Sequence, residues 1–107
     1  MTRTEVTRNR VESRFELHVD GELAGRIDYL NEADGVALTH TIVDDAFKGQ
    51  GLGKTLVAET LLSLREEGAA VLPVCPYVTG YMERNPADID LVPEHRRAEF
   101  GLEVAAK

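Results

Sequence analysis

The segment Lys48-Gly49-Gln50-Gly51-Leu52-Gly53-Lys54-Thr55 places three glycines within five positions, just where an amphipathic pattern begins. The start of a helix exposes about four backbone N–H groups that lack intrahelical partners, together with a partial positive charge. Glycines there carry no Cβ, so phosphate oxygens can approach the backbone closely. Lys48 and Lys54 flank the turn with cations. The chemistry this pattern supports is the binding of a phosphate-bearing ligand. Two other residues bear reactive groups. Cys75 is the only cysteine and closes an apolar run before Pro76. A thiol there acts as a nucleophile toward an acyl group, lines a site, or packs as a small hydrophobe. His40 shares an apolar strand face with Val36, Leu38 and Ile42, where an imidazole serves as a buried hydrogen-bonding group or as a base.

Two common phosphate sites do not fit. A nucleotide-hydrolysing loop needs glycine, four residues, then Gly-Lys-Ser/Thr. Gly53-Lys54-Thr55 supplies the end, but Lys48 occupies the place of the first glycine. No strand ends in an aspartate suited to magnesium; the natural candidate, Ala69 to Val74, runs into Cys75-Pro76. A dinucleotide fingerprint fails on glycine spacing, and three strands precede the turn where that motif has one.

The elements that must position these residues follow from periodicity. Phe15, Leu17 and Val19 alternate with Glu16 and His18, which argues a half-buried strand from Arg14 to Asp20. Asp20-Gly21 is a hairpin turn signal. A second strand over about 22–30 places Leu23, Ile27 and Tyr29 inward, and a third over about 36–43 follows the turn residues 31–35. Residues 52–67 read as a helix with Leu56, Val57, Leu61 and Leu64 on its inner stripe and Gly68 as its stop. Residues 69–74 are apolar on both faces and read as an interior strand. A short helix over about 77–84 ends at Asn85-Pro86. The last twenty residues read as polar, with a helical turn around 94–100. The order strand, strand, strand, helix, strand, helix gives an α+β domain with a mixed sheet, single over residues 1–107.

Charge and composition narrow the partners. The net charge is −7, and residues after the first fourteen sum to −9. Nucleic-acid binders need a net basic face, so that class is disfavoured, while a cationic acceptor suits the field. No apolar run approaches the ~20 residues of a membrane helix, and none follows the N-terminus as a signal peptide would require. A single cysteine fits a reducing compartment, and the cytoplasm is the expected location. The three histidines show no metal-ligand spacing with Cys75, so no metal is expected.

Residues 39–86 resemble the GNAT acetyltransferase superfamily, above all its small stand-alone N-acetyltransferase-domain proteins. The pyrophosphate signature of that superfamily is Gln or Arg, two residues, Gly, one residue, then Gly or Ala. Lys48, Gly51 and Gly53 match it, with lysine as the departure in first position. His40-Thr41, Cys75-Pro76, Tyr81 and Asn85-Pro86 match the neighbouring pattern of the small proteins. The resemblance implies a minimal GNAT-like fold and acetyl-CoA as co-substrate. The coenzyme would be held by Ile42, Val43, residues 48–55 and Asn85. Cys75 would be the acetyl-facing residue, His40 the base, and Tyr81 the acid that protonates the departing thiolate, with Tyr77 competing for that role. Pro73 would interrupt pairing of its strand and open a gap for the pantetheine arm. The two helices that larger members insert between their first strands have no room here, so the acceptor site is expected to be open. The implied activity is N-acetyl transfer to a small amine or a protein amine, by a monomer or weak homodimer. The competing reading is a coenzyme A or acyl-CoA binding module without efficient catalysis.

Overall fold

The computed structural model describes residues 2–102, so the two ends of the expected 1–107 domain lie outside the described residues. Strands β1 (Thr4–Asn9), β2 (Arg14–Val19), β3 (Glu22–Glu32) and β4 (Gly35–Val43) form an antiparallel meander. Helix α1 (Leu52–Glu67) then crosses over to β5 (Val71–Leu72), which pairs in parallel with β4. Helix α2 (Pro76–Arg84) and 3-10 turns at Pro86–Leu91, Glu94–Arg96 and Ala98–Phe100 complete the chain. The sheet order is β1-β2-β3-β4-β5. The fold is therefore α+β with a mixed sheet, and the expected order of elements recurs behind one additional strand.

Local chemistry accounts for the elements. Asp20 and Gly21 both take positive φ (51° and 85°), the two-residue turn that joins β2 to β3. Leu56, Val57, Leu61 and Leu64 repeat at helical spacing and are buried, packing α1 against the meander. Gly68 in the left-handed region closes α1, its N–H bonded to Arg65 O.

Four expectations about the elements are corrected. β1 was not expected, because five of its six residues are polar or charged and none is fully buried, as an edge strand tolerates. Residues 69–74 do not form an interior strand. β5 has two paired residues and sits at the sheet edge, although both its side chains are fully buried. The terminal segment is not simply polar, since Ile89, Leu91, Val92 and Leu102 are buried in the core. Finally, inward alternation breaks at two bulges. Ala24 is the extra residue between the pairs His18–Leu23 and Leu17–Gly25, so Ala24 turns inward and Leu23 outward. Thr39 is the extra residue between Asp28–His40 and Tyr29–Leu38. An added residue reverses the face of every side chain that follows it. Val36 and Leu38 are therefore buried, whereas His40 and Ile42 are exposed on the opposite face.

Candidate functional site

The glycine turn behaves as its composition requires. Gly49 and Gly51 sit at φ 84° and 72°, in the left-handed region, with open space where a Cβ would stand. Gly51 caps α1 without any side-chain hydrogen bond, and the first turn contains no acidic residue. The first intrahelical bond runs from Thr55 N–H to Gly51 O at 3.3 Å. The N–H groups of Leu52, Gly53 and Lys54 are thus left for a ligand. Lys48 Nζ lies 2.8 Å from Asp45 Oδ1, which holds the Asp45 carboxyl below its ordinary range and the Lys48 ammonium above it. The two side chains cancel in charge, so anion attraction at the turn falls to the helix start and to Lys54.

A cavity of about 460 Å³ opens beside this turn. Its walls are Thr41, Ile42 and Val43 of β4, Phe47 to Gly49 of the turn, Leu52 and Gly53 of α1, and Tyr77 of α2. Backbone alternation says which groups of β4 face it. Asp44 N–H donates to Ala24 O, so residues 42 and 44 are in hydrogen-bonding phase with β3. The backbone groups of Thr41 and Val43 consequently point to the free edge. Ile42, whose backbone is in phase with β3, also borders the cavity, with 45% of its surface exposed.

The gap beyond β5 arises differently from the expected route. Val36 N–H bonds Ala70 O, so residues 70 and 72 face β4 and the nitrogen of Pro73 faces away. Pro73 removes no bond from this ladder. The ladder ends because Val74 N–H turns back onto Leu72 O, and Cys75 N–H takes Leu38 O in its place. The chain then enters α2, with Pro76 at its first position. Among the described residues, no strand lies beside the outer edge of β4 from Thr39 onward.

The structure separates the expected catalytic residues. Cys75 is buried (6% exposed) and does not line the cavity; its Sγ donates to Thr41 Oγ1 at 3.3 Å. His40 lies on the other face of β4, away from that thiol, and no hydrogen bond joins them. A hydroxyl has a single proton to donate. Thr39 Oγ1 gives its proton to Asp28 O at 3.2 Å. At 3.2 Å from His40 Nδ1, the same oxygen must therefore accept. His40 Nδ1 is then the donor, and in the neutral imidazole the lone pair lies on Nε2. Tyr81 is also buried away from the cavity, where burial, and then Asp88, push its phenol upward. Tyr77 is the tyrosine in the cavity, 44% exposed. Its hydroxyl lies 2.6 Å from where a Cβ on Gly53 would be, so that glycine makes room for the ring. Asn85 donates to Tyr81 O at 2.8 Å, closing α2, and is absent from the cavity walls. Sequence reasoning overlooked Phe47 and the side chain of Thr41, because the bulge that turns Thr41 inward leaves no compositional mark.

Among the described residues, no cluster of three or more His, Cys, Asp or Glu side chains could hold a metal ion. No described helix is long and apolar enough to cross a membrane.

Comparison with known proteins follows the same lines. The family described as GCN5-related N-acetyl-transferase matches residues 14–91. Among solved structures, a GCN5-like protein from Staphylococcus aureus superposes with a TM-score of 0.62 at 22% identity, over 83% of this chain and 87% of that one. A ribosomal-protein-alanine N-acetyltransferase from Brucella melitensis biovar Abortus 2308 gives 0.47 at 20% identity, over 88% of this chain and 62% of that one. No curated protein matches the sequence.

Proposed function

Because the chain belongs to the GCN5-related N-acetyltransferase family and is an acyltransferase with acetyl-CoA as its implied co-substrate, we propose that it transfers the acetyl group directly to an amine through an open acceptor site. The observation that carries this reading is the cavity that runs from the uncapped start of α1 along the free edge of β4. The N–H groups of residues 52–54 suit the pyrophosphate, and the free backbone groups of Thr41 and Val43 suit the amides of the pantetheine arm. A backbone N–H on that edge would meet the negative charge on the carbonyl oxygen as it becomes tetrahedral.

The acceptor would arrive from the opposite face of β4. Helices occupy neither the connection between β1 and β2, residues 10–13, nor the two-residue turn between β2 and β3. That face carries His40 beside Asp28, with Arg26 bonded to Asp28 at 3.0 Å. His40 Nε2 is the group available there to take the ammonium proton. Either a small amine or a protein amine fits an open face, and the negative field of the chain favours both. The burial of Cys75 argues against a covalent acetyl intermediate.

Thermal denaturation with added ligand tests the reading. Coenzyme A and acetyl-CoA should each raise the melting temperature, and ATP at equal concentration should not. A melting temperature indifferent to coenzyme A would overturn it.

A further inference from the structure

The two threonines on either side of His40 differ in one respect. The proton of Thr39 is committed to Asp28 O. The oxygen of Thr41 instead accepts from Cys75 Sγ at 3.3 Å, and among the described residues its own proton has no partner. Thr41 lines the cavity, whereas the thiol behind it is buried. An accepting bond on the inner side leaves the O–H of Thr41 to turn outward, into the space the coenzyme arm would fill.

We propose that Thr41 is a catalytic hydrogen-bond donor to the sulfur of the coenzyme as it departs, and that Cys75 is the positioning residue that fixes the direction of the Thr41 hydroxyl. The inference rests on the acetyl-transfer reading above. In the step it serves, the amine nitrogen forms a bond to the acetyl carbon and the carbon–sulfur bond breaks, its electron pair going to sulfur. The ammonium proton leaves to His40 Nε2 and from there to solvent, and solvent returns one proton to the thiolate, so the base is regenerated and the protons balance. Thr41 keeps its own proton throughout and acts by stabilising charge on sulfur. The same arrangement gives Cys75 a purpose that needs no access to substrate. It also leaves Tyr81, buried away from the cavity, outside the reaction.

The thiol of bound coenzyme A reports this bond without any acceptor. A donor that stabilises the thiolate makes that thiol more acidic. Thiolate absorbance is followed against pH for complexes with coenzyme A and with desulfo-coenzyme A. Cys75 contributes equally to both, so the difference belongs to the coenzyme sulfur. Lys48 and Tyr77 also line the cavity and stay constant across the variants. The acid dissociation constant of the bound thiol should fall about tenfold in Thr41→Val. Thr41→Ser should retain the wild-type value, and Cys75→Ala should fall between the two. Equal acidity in wild type and Thr41→Val would overturn the proposal, as would an acetyl group found on Cys75 by mass spectrometry after mixing with acetyl-CoA. Failure of coenzyme A to bind the wild-type chain would instead overturn the acetyl-transfer reading itself.

Discussion

At the scale of single residues, the sharpest contact is between Gly53 and Tyr77. A Cβ at position 53 would meet the Tyr77 hydroxyl at 2.6 Å and its ring carbon at 3.0 Å. The hydroxyl is the far end of a mobile side chain, so the ring would swing aside while α1 stayed in place. Alanine is favoured over glycine inside a helix by about 1 kcal/mol, so Gly53→Ala should leave the melting temperature unchanged or slightly raised. The displaced ring has the cavity to move into, and coenzyme A affinity should weaken by about tenfold, or ~1.4 kcal/mol. Calorimetric titration of a double-mutant cycle isolates the cause. In a Tyr77→Ala background the same Gly53→Ala change should alter affinity by less than about twofold, because the clash no longer exists. Equal losses in both backgrounds would mean that position 53 acts through the backbone alone.

At the scale of elements, β1 depends on one side chain. Arg8 stands over the rings of Phe15 and Tyr29, 5.1 and 4.9 Å from their centroids, and donates to Glu67 at 2.9 and 2.8 Å. Its side chain is only 12% exposed. It joins β1 to the core of β2 and β3 and to the end of α1. Arg8→Ala should cost about 2 kcal/mol, from a partly desolvated cation–π contact and an ion pair of ordinary strength. Urea denaturation checks this, and a loss under about 0.5 kcal/mol would show that β1 is held by its ladder alone. The same strand shows where sequence reading stops. The β2–β3 turn, α1 with its two glycine boundaries, and α2 ending before Pro86 were legible, because each rests on local patterns within a few residues. β1 was not legible, because Val6 is its single apolar residue and its other contact with the core is made by the guanidinium of Arg8 over Phe15 and Tyr29. The bulges at Ala24 and Thr39 were not legible either. Period-two alternation assumes an unbroken register, and a single inserted residue carried His40 away from the face assigned to it and brought Thr41 onto the cavity. The glycine turn could be read in the sequence, whereas the face of β4 that borders the cavity could not.

At the scale of the whole molecule, arginine–carboxylate pairs tie distant parts of the chain together. Arg8 and Arg10 hold Glu67 at the end of α1. Arg65 on α1 holds Asp88 and Asp90 in the terminal segment, and Arg96 holds Asp34 in the β3–β4 turn together with Glu99. Hydrogen bonds from these arginines lower the pKa values of Glu67, Asp90, Asp34 and Glu99 below the ordinary carboxylate range. A carboxylate whose folded-state pKa is lowered adds stability that is complete above its unfolded value, near pH 4, and is lost as pH falls through the folded value. Arginine remains charged throughout that window, so protonation leaves the guanidinium groups without partners. The melting temperature should therefore be level from neutral pH to about pH 5 and fall steadily below about pH 4. Each pair is at least partly exposed, so added salt should lower the plateau slightly and make the acid limb shallower. Because Arg65 serves two carboxylates that anchor the terminal segment, Arg65→Gln should flatten the acid limb more than removal of a surface charge with no ion-pair partner among the described residues, such as Lys54→Gln. Differential scanning calorimetry across pH 3–7 measures both effects, and a wild-type melting temperature unchanged down to about pH 3 would show that these pairs add nothing to stability.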